Sequence, residues 1–287
     1  SGPYLFWAAS FIIIPLLMIL YYGLTDKNGN FTLMNLAQIT TQENLKALGL
    51  ALLLSFVSTL ICLILAYPLA MILSEKNVNQ TSFIVLIFIL PMWMNFLLRT
   101  YSWMSILENN GLLNQLFQQI GLIDLYNQIA MHFASDPAAY VPIDHFQMIG
   151  TQGAVVLGMV YNYLPFMILP IYSVLVKLDH SLIEAARDLG ASSVQVFRKV
   201  ILPLSLPGVL SGITMVFVPS VSTFAISRLL GGGTQMMLGD LIEQQFLGGA
   251  YNPQLGAAIA LVMMAIVVVC MLVMNRFGDG EEQAVML

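Results

Sequence analysis

Six apolar runs, near residues 4–24, 47–73, 83–104, 153–176, 204–227 and 255–275, set the architecture of this chain. Each exceeds the ~18 residues that mark a membrane-spanning helix. At ~1.5 Å rise per residue, such a run crosses the ~30 Å hydrocarbon core of a bilayer. Backbone amides that face lipid have no water to bond, so each run must satisfy its own as a helix. A β-barrel is excluded because barrel strands alternate in polarity and these runs do not. The expected fold is an all-α integral membrane protein with six transmembrane helices.

Composition supports this reading. Of 287 residues, 59% are hydrophobic and 9% charged, against about 25% charged in a soluble domain. So little charge excludes a soluble globular enzyme and a disordered chain. The net charge of −5 offers no basic face for nucleic acid. Cys62 and Cys270 sit inside apolar runs without CxxC or His neighbours and read as small buried hydrophobes. The start, Ser1-Gly2-Pro3, reads as trimmed, and the first run needs no cleavable signal because further spans follow.

Lys and Arg set the expected orientation. With the N-terminus cytoplasmic, the inner segments hold Lys76, Lys177, Arg187, Arg198, Lys199 and Arg276, and the outer side holds Lys27, Lys46, Arg99 and Arg228. The concentration in 177–203 favours cytoplasmic N- and C-termini under the positive-inside rule. On charge alone the reversed topology stays open. The outer loops are then 25–46, 105–152 and 228–254. The middle one lacks Lys and Arg. Its stretch 111–128 places Leu112, Leu113, Leu116, Phe117 and Ile120 at helical spacing, predicting one amphipathic helix on the membrane or packed on the spans. Asp136-Pro137 and Val141-Pro142 read as turns or extended chain.

The segment 177–203 reads as a short helix, a break and a second helix. Asp179 or Ser181 can cap the start, Ser181 and Glu184 have capping-box spacing, and Gly190 suits a left-handed C-cap. Leu182, Ala185, Ala186 and Leu189 recur at spacings of three and four. They make a small apolar face with no lipid to cover it. That face packs under its own bundle or docks in a groove on another protein.

Glu184-Ala185-Ala186, three residues, Gly190, nine residues, Val200, Ile201 and Leu202-Pro203 match the cytoplasmic signature of permease subunits of prokaryotic ABC importers. The one departure is Val200 where the signature has Ile. Residues 90–101, 164–172 and 184–208 resemble the permeases of spermidine/putrescine importers, and the similarity is clearest for the first of the two permeases such importers use. It covers most of 50–275, with 25–46 and 105–152 matching less well.

The resemblance implies a type I ABC importer permease (MetI-like) fold. Residues 1–46 would be the first span and outer loop, 47–275 the permease domain with a coupling-helix loop at 178–203, and 276–287 a cytoplasmic tail. It implies that Glu184, Ala185, Ala186, Arg187, Asp188, Gly190, Leu202 and Pro203 couple to a cytoplasmic ATPase, with Glu184 pairing with a basic residue and the alanines allowing close approach. The implied partners are a second homologous permease, two ATPase copies carrying ATP and Mg, an extracellular or periplasmic polyamine-binding protein, and the lipid of a prokaryotic plasma (inner) membrane.

The chain has no lysine after a glycine, so the Gly-x-x-x-x-Gly-Lys phosphate loop is absent and ATP would be handled by a partner. Gly231-Gly232-Gly233 reads as a flexible hinge. His132, His145 and His180 are scattered, and no catalytic or metal-ligating set emerges.

Arg99 and Arg228 fall near outer ends of runs and read first as snorkelling to the interface. Asp240 and Glu243, three residues apart, read first as a solvated helix face and second as same-face acids that attract a polyamine. Trp93 and Tyr101 are candidates to hold ammonium groups by cation–π contact, worth roughly 0.5–2 kcal/mol each. Gly208 and Gly212 predict close helix packing; Pro68, Pro91, Pro165, Pro170 and Pro219 fall within spans. The rival readings are an importer of the same class with another cargo, such as ferric iron, thiosulfate or a different organic cation, and an ion-driven secondary transporter.

Overall fold

A computed structural model of the protein describes residues 2–74, 90–133, 140–249 and 251–285. Among them there is no β-strand, only an isolated antiparallel bridge between Thr25 and Phe31. Among the described residues five helices are long and apolar enough to cross a membrane: α1 (Gly2–Gly23), α3 (Gln42–Ser74), α7 (Gln152–Leu175), α9 (Ser193–Ser222) and α12 (Pro253–Val285). Shorter helices are α2 (Met34–Gln38), α4 (Phe96–Leu107), α5 (Leu112–Gln119), α6 (Leu122–Phe133), α8 (His180–Asp188), α10 (Ala225–Leu230) and α11 (Leu238–Leu247). Residues 83–89 of the third run, with Lys76 before it, lie outside the described residues, as does Asp136-Pro137.

α7 lies between α3 and α9, which also touch each other; α12 packs on α9 and carries α1 on its outside. Burying apolar surface gives little drive inside lipid, so close approach has to supply the attraction. Small residues permit it. A β-carbon on Gly208 would stand 2.8 Å from the Pro170 carbonyl oxygen, and one on Gly212 would stand 2.7 Å from Met167 Sδ. The spacing of these two glycines was therefore a sound guide to the α9–α7 contact. Gly23 plays the same part where α1 meets α12, 3.2 Å from the Ala258 nitrogen by the same measure, and it is the one buried residue of α1. Met159, Met167, Ile168, Ile171 and Val216 fill the centre. Cys62 is buried and unpaired, and Cys270 is partly exposed.

The structure corrects several expected boundaries. The third run is interrupted: Asn95 leaves the helical region and its Oδ1 accepts from Leu97 N–H at 2.8 Å, so α4 starts afresh. The run 204–227 is a span and a separate helix. α9 ends at Ser222, Thr223 is extended (φ −66°, ψ 140°), and α10 begins at Ala225. The last helix does not stop at 275 but continues to Val285. The helix expected over 111–128 is two, divided at Gly121, which takes φ +73°.

The glycine run 231–233 is a docked turn rather than a flexible hinge. Gly232 and Gly233 adopt φ +58° and +73°. Gly150 N–H donates to Leu230 O at 2.8 Å, and Thr234 Oγ1 donates to Gly150 O at 3.0 Å.

The elements sort to two ends. Met71 and Ser74 of α3, Leu175 of α7 and Ile201 of α9 gather around α8 at one end. Ala47 of α3, Leu241 of α11 and Leu255 of α12 gather at the other. Segment 177–203 is thus separated from loops 25–46 and 228–254 by the length of the bundle.

Candidate functional site

At the α8 end, Asp179 is the N-cap: its Oδ1 accepts from Ser181 N–H at 2.9 Å. That bond holds the Asp179 carboxyl below the usual carboxylate range. α8 closes on Gly190 at φ +82°, with Gly190 N–H to Arg187 O at 2.8 Å and Ala191 N–H to Ala186 O at 3.0 Å. Those two bonds form a Schellman motif. The second helix starts where Ser192 N–H donates to Gln195 Oε1 at 2.8 Å.

α8 buries none of its residues, and its two faces differ. His180, Ile183 and Arg187, at i, i+3 and i+7, face the bundle and line a cavity of about 330 Å³ with Met71, Leu175 and Ile201. Leu182, Ala185 and Leu189 lie on the far side; Leu189 is 89% exposed. Glu184, Asp188 and Gly190 are exposed and Ala186 is half-buried. The small apolar stripe therefore turns away from its own bundle, while Arg187 is placed with the opposite face.

Leu202 and Pro203 follow a π-helical turn, Phe197–Ile201, in which the Leu202 N–H bonds back to Phe197 O. Phe197 stands edge-on to Tyr67 of α3, ring centroids 5.7 Å apart. Tyr67, whose role the sequence did not signal, also bonds Ser205.

At the opposite end, α10 and α11 enclose a cavity of about 190 Å³ lined by Ser227, Arg228, Gln235, Asp240, Glu243 and Gln244. This is smaller than the ~300 Å³ of the smallest pockets that take a drug-sized ligand, so it fits one end of a longer molecule. Glu243 forms an ion pair with Arg228. Asp240 is not on a solvated face: it is 7% exposed, and its Oδ2 accepts from Met237 N–H at 2.9 Å. Burial pushes its carboxyl above the usual range, opposed by the bonds from Met237 and Ser227. The sequence offered Asp240 and Glu243 as a pair but not Arg228, whose partner lies fifteen positions away.

Trp93 and Tyr101 do not line this cavity. Both are exposed on the flank of the third run, Trp93 at 74%. Nearby, Trp103 packs edge-on against Tyr161 at 5.3 Å. Arg99 overturns the snorkelling expectation. It is only 8% exposed, and among the described residues its Nε and Nη1 have no hydrogen-bond partner. Among the described residues no three His, Cys, Asp or Glu side chains converge as metal ligands.

Comparison with known proteins agrees with this architecture. Residues 82–280 match the family described as binding-protein-dependent transport system inner membrane component. The chain is 33% identical over 276 residues to the spermidine/putrescine transport system permease protein PotB of Escherichia coli K12, covering 94% of this chain and 93% of that protein. It is 33% identical over 271 residues to PotB of Haemophilus influenzae, covering 91% and 88%. In fold it resembles a chain of the crystal structure of a bacterial ABC transporter that imports the acidic polysaccharide alginate, with TM-score 0.72 at 16% identity, covering 96% and 92%. It also resembles a chain of the inward-facing MetNI methionine ABC transporter, with TM-score 0.55 at 19% identity, covering 82% and 94%.

Proposed function

The chain belongs to the binding-protein-dependent transport system inner membrane component family and is an ABC importer permease subunit, and from that premise we propose that it moves polyamines inward across a prokaryotic plasma membrane. The observation that carries the cargo is the 33% identity to spermidine/putrescine permeases, sustained over 94% of the chain. In the proposed assembly it pairs with a second permease, two copies of an ATPase and an extracellular or periplasmic polyamine-binding protein, with both of its termini cytoplasmic. ATP and Mg belong to the ATPase, and this chain catalyses no covalent change.

α8 is the proposed coupling helix. Its apolar stripe of Leu182, Ala185 and Leu189 points away from the bundle, where a cleft on another protein can take it. Glu184 is exposed on the flank between that stripe and the bundle-facing side, where it can pair with a basic residue of the partner. Closure of the ATPase dimer pushes α8, and the push passes to α9 through the π turn and to α3 through Tyr67. The spans respond by alternating access. Trp93, Tyr101, Asp240 and Glu243 are the residues proposed along the polyamine path. The aromatic pair is exposed on the flank, where a second permease would meet it, and the acids lie at the far end.

The test is uptake of radiolabelled spermidine by proteoliposomes holding all the subunits. Glu184→Arg is expected to abolish ATP-driven uptake and weaken ATPase recovery on the permease. Undisturbed uptake by that variant ends the coupling assignment. A binding protein that fails to take up spermidine or putrescine ends the cargo assignment and leaves the coupling assignment standing.

A further inference from the structure

The cavity between α10 and α11 has walls that belong to different parts of the bundle. α10 packs mainly on α4 and α7, and α11 mainly on α12 and α3. Near the end of α9 the two walls are pressed together: a β-carbon on Gly239 of α11 would stand 2.6 Å from Thr223 O and 2.8 Å from Ser222 O. The glycine turn 231–233 joins them along the chain. Across the gap of about 190 Å³ the connection is made by side chains.

Those side chains form two rungs. Ser227 and Arg228 are neighbours on α10, and Asp240 and Glu243 are one turn apart on α11. The inner rung is Ser227 beside Asp240, the first fully buried and the second 7% exposed. The outer rung is the ion pair of Arg228 and Glu243, whose side chains are 62% and 21% exposed. Arg228 pairs with Glu243 and not with Asp240, whose Oδ2 accepts from Met237 N–H. The ion pair therefore stands between water and the buried rung. A pair that reaches water shifts an equilibrium by only about two- to five-fold, whereas a buried pair resists breaking far more strongly. This tie is strong enough to bias the gap toward closure and weak enough to break in every transport cycle.

We propose that the Arg228–Glu243 pair is a latch over the buried rung: paired, it holds α11 against α10 and covers Asp240; broken, it lets the two walls part and opens the way to Asp240. The inference rests on the reading that this end of the bundle lies on the cargo path, and it gives Glu243 a particular part there. What counts at position 243 is a charge opposite to that at 228, whichever of the two carries which sign.

The test uses the full chain assembled with its partner subunits in lipid nanodiscs. In a Cys62→Ala, Cys270→Ala background, Ser227→Cys places a thiol on the buried rung, and its rate of reaction with methyl methanethiosulfonate, a small neutral reagent, is measured. Gln235→Cys, in the same lining, repeats the measurement should Ser227→Cys fail to fold. Arg228→Glu and Glu243→Arg, each alone, are expected to speed the reaction about two- to five-fold, and the two together to return it to the parent rate. The proposal falls if neither single variant changes the rate, or if the charge-swapped pair stays as fast as the singles. It falls equally if the two singles move the rate in opposite directions, which marks a field effect on the thiol instead of an opening. Spermidine uptake by proteoliposomes is measured beside it, without the probe cysteine. A swapped pair that labels at the parent rate but loses uptake overturns the claim that the sign at 243 is immaterial. Labelling reads the latch without cargo, so a parent assembly that takes up no spermidine ends the cargo reading and leaves the latch to be decided by the labelling.

Discussion

The hydroxyl oxygens of Tyr67 and Ser205 lie 2.7 Å apart and join α3 to α9 two residues beyond Pro203. Ser205 Oγ also donates to Leu202 O at 3.0 Å, so Tyr67 is the donor and Ser205 the acceptor. The ring of Tyr67 meets Phe197 at 90°. One side chain thus touches both the π turn and the helix that leaves it. Tyr67→Phe keeps the ring contact and removes the bond. It is expected to cost about 0.5–1.5 kcal/mol, read as a loss of unfolding free energy in detergent. A double-mutant cycle with Ser205→Ala should recover most of that as coupling, because the two variants remove the same bond.

Asp240 gives the protein a pH dependence of a definite sign. Its carboxyl titrates above the ordinary value of 3.8 because burial disfavours the anion. The folded protein then binds this proton more tightly than the unfolded chain, so stability from this group falls as pH rises from 3.8 through the raised value. Asp240→Asn keeps an oxygen to accept from Met237 N–H and removes the titration. The difference in Tm between Asp240→Asn and the parent protein should grow in favour of the variant as pH rises across that window, then level off. A difference that is flat with pH refutes it.

Arg99 holds a permanent charge in a site that leaves Nε and Nη1 without partners among the described residues. An unsatisfied buried donor costs about 1–3 kcal/mol, more when charged. Arg99→Met keeps the length and gives up the charge. In the isolated subunit it should raise unfolding free energy by at least about 1 kcal/mol. A loss of stability would mean that Arg99 is satisfied in solution.

The fold was legible where one physical signal acts locally. Runs of apolar residues long enough to cross a bilayer announced the spans, and Asp179 and Gly190 announced the two ends of α8 through capping chemistry. The misreadings share a cause. Hydropathy continues unbroken across Thr223 because Phe224, Ala225 and Ile226 are apolar, so the end of α9 is a backbone event that composition does not register. Ile120 and Leu122 likewise hide the break at Gly121. At the candidate sites, the acids and the Glu-Ala-Ala segment were visible as residues, but their settings were not. The burial of Arg99 and Asp240, the Arg228–Glu243 pair and the outward turn of the α8 stripe depend on segments brought together from afar.

Gly190 separates conformation from space at the segment proposed to couple transport to ATP. It takes φ +82°, and a β-carbon built there meets nothing within 4 Å. Any penalty for a side chain is therefore backbone strain, about 1–2 kcal/mol for a residue that resists the left-handed region. Asn tolerates that region and Val does not. Since α8 buries none of its residues, neither variant should shift the Tm of the bundle. Gly190→Val is expected to lower ATP-driven uptake several-fold by loosening the Schellman turn that fixes the stripe, and Gly190→Asn to retain most of it. Equal loss from both would place a partner surface against the α-carbon of Gly190, because among the described residues nothing fills that space.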